Sequence, residues 1–169
     1  MYKSFAAALS AATLSLMLCI NAFAMDKPKG SVVLTIGGAV GVSNSADGNA
    51  QFDLEMLETF SKVIIKTETP WLDGMTTFQG VRLKDLIEHV KGTGEKLKAI
   101  ALNDYAVDIP FADFQKYDVI IAYKSNGKYM SIRDKGPLWI IYPWNHHEEL
   151  KTETYHGRSI WQLTRLEIE

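Results

Sequence analysis

The stretch Gly136-Pro137-Leu138-Trp139-Ile140-Ile141-Tyr142-Pro143-Trp144 is the part of the sequence that decides the fold. Between its two prolines the side chains form a nearly continuous apolar run of the length of one strand. Such a run, bounded by residues that interrupt regular structure, is typical of a strand in a protein core. We therefore predict a buried strand over Pro137–Tyr142, which other elements must cover on both sides.

Strand patterns also lie on either side of this run. Upstream, the dipeptide Asn126-Gly127 is a hairpin turn signal between strand patterns at Asp118–Lys124 and Lys128–Ile132. Downstream, Ile160–Ile168 alternates apolar and polar side chains, as a half-buried strand does. The polar segment between the run and this last strand, Pro143–Gly157, is predicted to be a loop.

Towards the amino end, strand patterns are interspersed with two helical patterns. The first helix is predicted over Phe52–Phe60 with Asp53 as its N-cap, and the second over Arg82–Val90, led into by Phe78–Val81. A loop is predicted at Thr69–Gly74. The further strand patterns are Ser31–Ile36, Lys62–Thr67, Leu97–Leu102 and Tyr105–Ile109. Many short strands with a few short helices predict an α+β fold with mixed β-sheets.

The first 24 residues have the pattern of an export signal. Lys3 provides a positive start, Phe5–Ile20 is mainly apolar, and Ala22-Phe23-Ala24 offers small residues at a cleavage site. We predict a signal peptide over 1–24 and a single domain over 25–169, delivered to the periplasm by a Sec-type route. Because the segment lacks a twin-arginine pair, the chain is expected to cross unfolded. An uncleaved membrane anchor is the alternative, and no stable membrane span is expected after cleavage.

Composition excludes several classes of function. The 169 residues include 18 Lys+Arg and 20 Asp+Glu, so a net charge of −2 provides no basic field for nucleic acid. The only cysteine is Cys19, inside the predicted signal. The domain over 25–169 is therefore expected to have no disulfide, thiolate metal site, cysteine nucleophile or iron–sulfur cluster.

Several polar residues fall at predicted strand ends, where binding sites are often found. The Asn103-Asp104-Tyr105 turn places amide and carboxylate groups there. Arg133, Lys135 and Arg158 are cations in polar loops that could meet an anion, although turn formation and solvated charge explain these residues equally well. Among the four tryptophans, Trp139 and Trp161 fit core positions, whereas Trp71 and Trp144, each beside a proline, are predicted to line a cleft.

Three histidines lie close together in the predicted loop after the buried strand. They are His146, His147 and His156, with Glu148 and Glu149 between them. Imidazole and carboxylate groups can bind zinc, nickel or copper, but this spacing matches no established metal-site pattern. We predict an exposed loop, and metal binding by these histidines remains one alternative function.

The order of these segments is similar to that of a known family. The stretches that match are Val63–Thr67 with Trp71 and Phe78–Ile87, then Asp104–Pro110, then Asn126–Met130 followed by Gly136–Trp144, with the closing strand from Arg158. Together they resemble the oxidoreductase molybdopterin-binding domain of the sulfite-oxidase-like superfamily, in its small exported form. The resemblance covers roughly Gly30–Ile168, which is nearly the whole predicted domain.

The resemblance implies a sulfite-oxidase-like molybdopterin-binding fold, with a pterin cleft at the ends of loops. In catalytic members a cysteine thiolate at the end of the first matching strand binds molybdenum, and the corresponding residue here, four before Trp71, is Thr67. Cofactor loading in this superfamily occurs before export, which a chain that crosses unfolded could not preserve. The residues expected to lie near a cofactor or ligand are Thr67, Trp71, Asn103, Asp104, Tyr105, Arg133, Lys135 and Arg158.

These observations favour a non-catalytic member that binds a small molecule or a protein partner of the cell envelope. No cofactor is expected, although molybdopterin is possible by resemblance, and no residue is assigned as catalytic or as a metal ligand. The main alternative is a periplasmic molybdopterin-dependent oxidoreductase. The second alternative is metal binding by the histidine loop.

Overall fold

The structure is a computed structural model, and it describes residues 25–169. The predicted signal peptide over 1–24 lies outside the described residues. The described elements, in chain order, are β1 (Leu34–Gly38), β2 (Ala50–Phe52), α1 (Leu54–Glu58), β3 (Lys62–Thr69), β4 (Leu72–Arg82), α2 (Leu83–His89), β5 (Lys96–Ala101), β6 (Ala106–Pro110), α3 (Phe111–Lys116), β7 (Ile120–Ser125), β8 (Lys128–Tyr129), β9 (Trp139–Ile141), α4 (Glu153–Arg158) and β10 (Leu163–Ile168). Short 3₁₀ helices cover Ile132–Asp134, Trp144–His146 and Glu148–Leu150.

The strands form two five-stranded sheets. The first has the order β2-β1-β10-β5-β6 and is antiparallel except for the parallel pair of β1 and β10. The second has the order β3-β4-β7-β8, and β9 also pairs with β7. These mixed sheets with short helices confirm the predicted α+β class.

The apolar run Pro137–Tyr142 is confirmed as a buried strand. All three residues of β9 are buried, and so are Leu138 and Tyr142 on either side of them. The indole nitrogen of Trp139 donates a hydrogen bond to the backbone oxygen of Ser159 over 3.0 Å. The run is buried because it lies between β7, its sheet partner, and the segment that leads into β10.

The two predicted helices and the predicted hairpin are also confirmed. Asp53 caps α1, since its Oδ1 accepts a hydrogen bond from the Met56 N–H over 2.8 Å. In α2 the leucine and isoleucine side chains of the predicted apolar face are buried. Asn126 and Gly127 both have positive φ, as the hairpin between β7 and β8 requires.

Three element predictions are wrong. The expected loop over Thr69–Gly74 is a tight turn at Pro70 and Trp71, so that β4 begins at Leu72 and runs through Phe78–Val81 into α2. Helix α3 follows Pro110 in a segment for which no helix was predicted. Helix α4 lies inside the expected loop Pro143–Gly157.

The longest helix within 25–169 is α2, with seven residues. None of the described helices has the length and apolar character needed to cross a membrane.

Candidate functional site

A cluster of four tryptophans lies where the two sheets meet. Trp71, in the turn between β3 and β4, packs edge-on against Trp161 with 5.3 Å between ring centres. Trp139 of β9 lies 5.7 Å from Trp71, and Trp144 lies 6.1 Å from it. Trp139 and Trp161 also form an isolated β-bridge. Because Trp139 belongs to one sheet and Trp161 leads into the other, the cluster joins the two sheets.

A cavity of about 500 Å³ opens beside this cluster. Its walls come from three segments that are far apart in the sequence: the Pro70–Trp71 turn, the turn between β5 and β6, and α4 with the residues that follow it up to Trp161. Side chains of the first two segments include Trp71, Asn103 and Tyr105, and α4 contributes Glu153 and His156. Its volume and its mixture of aromatic and polar walls suit a small organic ligand.

Three of the residues predicted near a ligand line this cavity, namely Trp71, Asn103 and Tyr105. The Asn103 side chain accepts a hydrogen bond from the Tyr105 N–H over 3.3 Å. Asp104, between them, has a φ of 63°, and its N–H donates to the Ala101 oxygen over 3.0 Å. Asp104 therefore shapes the turn that presents its two neighbours to the cavity.

Lys135 lies against the tryptophan cluster. Its Nζ is 4.0 Å from the ring centre of Trp161 and 5.5 Å from that of Trp139, which is the geometry of a cation–π contact. Arg133 is exposed on the 3₁₀ helix Ile132–Asp134 and is not among the residues that line the cavity.

Gln162 holds the Lys135 segment beside the tryptophan cluster, although nothing in the sequence indicated this role. Its backbone oxygen accepts a hydrogen bond from the Leu102 N–H over 2.9 Å, and its N–H donates to the Lys135 oxygen over 3.0 Å. Its side-chain amide donates to the Ile132 oxygen over 2.8 Å. One residue thus connects the turn after β5 with the segment that carries Arg133 and Lys135.

Arg158 forms an ion pair with Asp113 and is not among the residues that line the cavity. Its guanidinium donates to Oδ2 of Asp113 over 2.9 Å, and the Tyr142 hydroxyl donates to the same oxygen over 2.8 Å. Asp113 is buried. Burial, and then the negative charge of Asp113, raise the pKa of Tyr142 far above its usual range, so this hydroxyl remains a donor. The three side chains fasten α4 to α3 and β9.

Thr67 is fully buried in β3, two residues before the strand ends at Thr69. Its hydroxyl donates to Oδ1 of Asn145 over 2.7 Å and accepts from the Asn145 N–H over 3.2 Å. Oδ1 of Asn145 also accepts from the Glu68 N–H over 2.7 Å. The hydroxyl is therefore occupied by Asn145, a partner that sequence reasoning missed because it lies 78 residues away in the chain.

Two of the tryptophan predictions are wrong, because Trp161 and Trp144 each lie in the environment that was predicted for the other. Trp161, expected in the core, lines the cavity, because its bridge to Trp139 places it at the open edge of the sheet junction. Trp144, expected to line a cleft, is buried, because the 3₁₀ helix after Pro143 turns its ring inward against Tyr142 and His156. Its indole nitrogen has no hydrogen-bond partner among the described residues.

The three histidines of the predicted loop do not come together. His146 is exposed, and His147 lies beside Tyr117, with 5.0 Å between ring centres, and Glu149. His156 belongs to the cavity, 5.9 Å from the ring centre of Trp71. Within residues 25–169, no three histidine, cysteine, aspartate or glutamate side chains are grouped so that they could hold a metal ion.

Comparison with known proteins identifies the family. Residues 44–147, more than half of the chain, match the family model of the oxidoreductase molybdopterin binding domain. The chain belongs to this family. Its fold is similar to the crystal structure of the sulfane dehydrogenase SoxCD from Paracoccus pantotrophus, with a TM-score of 0.55 and 20% sequence identity. This confirms the predicted sulfite-oxidase-like fold. The match covers 80% of this chain but only 37% of the SoxCD chain. A search of curated proteins found no match.

The residues of this family member do not fit a molybdenum centre of the kind that the resemblance implies. Thr67 offers a hydroxyl in place of a thiolate, and that hydroxyl is buried and bonded to Asn145. In the centre that the resemblance implies, molybdenum is bound by a thiolate, a soft and ionised sulfur ligand, whereas the Thr67 hydroxyl is a harder and un-ionised donor. The guanidinium of Arg158, a candidate for an anionic pterin, is already paired with Asp113.

Proposed function

We propose that this member of the oxidoreductase molybdopterin binding domain family is an exported, non-catalytic protein that binds a small molecule in the cavity beside Trp71 and Trp161. The observation that carries the proposal is the environment of Thr67. At the position where the resemblance implies a metal-binding thiolate, a buried hydroxyl holds the Asn145 side chain and backbone. The chain therefore has the fold of the family, but Thr67, at the position of the implied metal ligand, contributes to packing instead of binding a metal.

The sequence supports export to the periplasm without a loaded cofactor. The predicted signal over 1–24 lacks a twin-arginine pair, so the proposed route threads the chain unfolded. A tightly bound pterin requires a folded site, and an unfolded chain has none. The net charge of −2 argues against nucleic acid as a partner. A protein of the cell envelope is the other partner that the proposal allows.

The test is elemental analysis of the protein purified from the envelope of its own host after native export. We expect molybdenum far below one atom per chain, and no pterin fluorescence in the extract of the denatured protein. One molybdenum and one pterin per chain would overturn the proposal and establish the periplasmic oxidoreductase instead.

A ligand screen tests the second half of the proposal. A compound that binds only the folded chain raises its thermal midpoint, because binding adds RT ln(1 + [L]/Kd) to the free energy of unfolding. We expect stabilisation by at least one class of small organic compound, reduced in Trp71→Leu, which removes a wall of the cavity. Stabilisers that act equally on both proteins would place binding outside the cavity.

A further inference from the structure

The proposed binding function leaves the chemistry of the ligand open, but the walls of the cavity carry information about it. Trp71 and Trp161 present two indoles, the ring system whose face attracts cations most strongly. Their edge-on packing, with 71° between ring planes, sets the two ring faces nearly perpendicular to each other. A pair of differently oriented indoles is the start of an aromatic cage for an ammonium group.

Trp161 already binds a cation within the folded chain. The ammonium nitrogen of Lys135 lies 4.0 Å from its ring centre, close to the shortest distance at which such a group can rest on a ring face. The left-handed backbone of Lys135, with a φ of 70°, and the hydrogen bond from Gln162 to its oxygen hold this segment in place. The site therefore shows, with its own residues, that this ring accepts an ammonium group.

The charged side chain in the cavity wall is acidic, as a binding site for a cation requires. Among the described residues that line the cavity, Glu153 is the acidic one, and none is lysine or arginine. Outside the lining, Asp104 adds a second carboxylate in the turn that carries Asn103 and Tyr105, and the ammonium group of Lys135 beside Trp161 offsets one of the two negative charges. Arg158, the basic residue of α4, is neutralised by Asp113. A negative, partly apolar wall concentrates cations and repels anions.

We propose that the cavity binds an organic cation, with its ammonium group among Trp71, Trp161 and Glu153. This inference rests on the proposed binding function and adds the class of ligand to it. Asn103 and Tyr105 also line the cavity, and their polar groups orient the rest of the ligand. An anionic pterin phosphate would face Glu153 without a lysine or arginine among the described lining residues, so the ligand class differs from the one that the family name describes.

Three probes of nearly equal size and different charge test the inference. They are phenethylammonium, 2-phenylethanol and phenylacetate, titrated against the purified chain with tryptophan fluorescence and calorimetry as readouts. We expect phenethylammonium to bind about tenfold or more tightly than either of the others, as cation–π contact and a nearby carboxylate allow. Equal or tighter binding of the alcohol or the carboxylate, or no binding of the cation, would overturn the inference.

Single substitutions measure how much individual charged side chains contribute to binding of the cation. Glu153→Gln should weaken binding of the cation about fivefold and leave the alcohol unchanged, because only the charge is removed. The control Glu95→Gln changes an exposed carboxylate outside the cavity and should have no effect. Lys135→Met removes a positive charge that lies 4.0 Å from the Trp161 ring centre, outside the cavity lining, and should tighten binding of phenethylammonium. If Lys135→Met instead weakens binding of phenethylammonium, the positive charge of Lys135 does not oppose the ligand and the inference fails.

The failure of this inference is distinguishable from failure of the proposed function. Binding of the alcohol or of phenylacetate that is lost in Trp71→Leu would leave a small-molecule site in the cavity and exclude only the cation. Molybdenum and pterin at one per chain would overturn the proposed function whichever probe binds.

Discussion

The Thr67 hydroxyl connects two segments that lie 78 residues apart in the sequence. It donates to and accepts from Asn145, and it is fully buried. Each hydrogen bond of this kind contributes about 0.5–1.5 kcal/mol to the free energy of unfolding. The residue at the position of the implied metal ligand is therefore a structural residue in this chain.

Replacement of Thr67 measures this role. Thr67→Val keeps the shape but removes the hydroxyl, so Asn145 loses a donor and an acceptor, and we expect a loss of about 1–3 kcal/mol in the free energy of unfolding. Thr67→Ser keeps the hydroxyl and should cost less than Thr67→Val. Urea denaturation followed by circular dichroism gives both values. A Thr67→Val protein as stable as the parent would show that the bonds to Asn145 contribute nothing.

The ion pair of Asp113 and Arg158 provides a second prediction. The Asp113 side chain is 8% exposed and that of Arg158 is 21% exposed, so solvent screens the pair only in part. Asp113→Asn leaves the guanidinium without its carboxylate but can still accept from Tyr142, so we expect a loss of about 2–3 kcal/mol.

The matched control for Asp113→Asn is Arg133→Ala, which removes an exposed arginine that forms no ion pair within residues 25–169. Its stability should stay within about 0.5 kcal/mol of the parent. Thermal and urea denaturation of both variants give the comparison. Equal stabilities would contradict the structural role assigned to Arg158.

Single residues of the site were only partly predictable. Trp71, Asn103 and Tyr105 could be named because turn residues at strand ends carry a local signal. Glu153, His156 and Gln162 could not be placed in the cavity region, because their positions depend on how the segment after β9 folds back over the sheets. That information lies in contacts between distant parts of the chain.

At the scale of elements, α1 depends on one carboxylate at its amino end. Asp53 accepts from Met56 within the helix and, through Oδ2, from the backbone N–H groups of Lys29 and Gly30, each over 2.7 Å. The hydrogen bond from Gly30, followed by that from Met56, lowers the pKa of Asp53. One side chain thus caps the helix and fastens the segment that precedes β1.

A pH prediction follows from this lowered pKa. A carboxyl group with a lowered pKa stabilises the fold at pH values above its unfolded pKa of about 3.9, and this stabilisation is lost as the pH falls through the lowered value. Asp53→Asn can still accept from Met56, but its NH₂ group cannot accept from Gly30. We therefore expect Asp53→Asn to be less stable at neutral pH and to lose less stability on acidification.

The control for Asp53→Asn is Asp73→Asn, at an exposed position of β4. Its profile of stability against pH, measured by urea denaturation from pH 7 to pH 2.5, should follow that of the parent. If Asp53→Asn also follows the parent profile, the hydrogen bonds of Asp53 do not contribute to the acid sensitivity of the fold.

Two glycines give a matched pair for the elements that surround the site. A Cβ on Gly80 of β4 would lie only 2.1 Å from the Ile121 oxygen of β7, too close for either strand to accommodate. A Cβ on Gly157 of α4 would meet nothing within 4 Å. Gly80→Ala should therefore cost about 3 kcal/mol or more, whereas Gly157→Ala should stabilise α4 by about 0.5–1 kcal/mol.

Denaturation midpoints of the two alanine variants test this pair. Gly80→Ala that folds with parental stability would show that β4 and β7 can separate at this point without cost. The same comparison bears on the register shift between Gln79 and Gly80 in the pairing of these strands.

The elements that could be predicted are those with a strong local pattern. The apolar run of β9, the face of α2 and the Asn126-Gly127 hairpin were all visible in the sequence. The start of β4 was missed because Asp73-Gly74 resembles a turn, whereas Gly74 has a φ of 69° in the irregular stretch between Leu72 and Thr76, both of which pair with β3. Helices α3 and α4 have six residues each, too few for a helical period to be recognised.

For the whole molecule, the tryptophan cluster is the contact that makes two sheets one folding unit. Trp139 lies in the second sheet and Trp161 leads into the first, and the two pack with 6.2 Å between ring centres. All four tryptophans of the chain belong to this cluster. Their fluorescence therefore reports on the junction between the sheets.

We expect fluorescence and far-ultraviolet circular dichroism to give coincident denaturation curves, because neither sheet can unfold without exposing the shared cluster. Trp161→Leu removes the link to the first sheet and should separate the two curves or lower both midpoints. Fluorescence that changes well before the loss of strand signal in the parent protein would contradict a single cooperative unit.

Strand β10 lies between β1 and β5, so the middle of one sheet is supplied by residues 163–168. A nascent chain leaves the ribosome amino end first, and until these residues emerge its β1–β2 and β5–β6 pairs have no common neighbour. Contacts between such distant segments form slowly. The first sheet can therefore close only after residues 163–168 have been synthesised, so that the two outer strand pairs form before the strand that joins them.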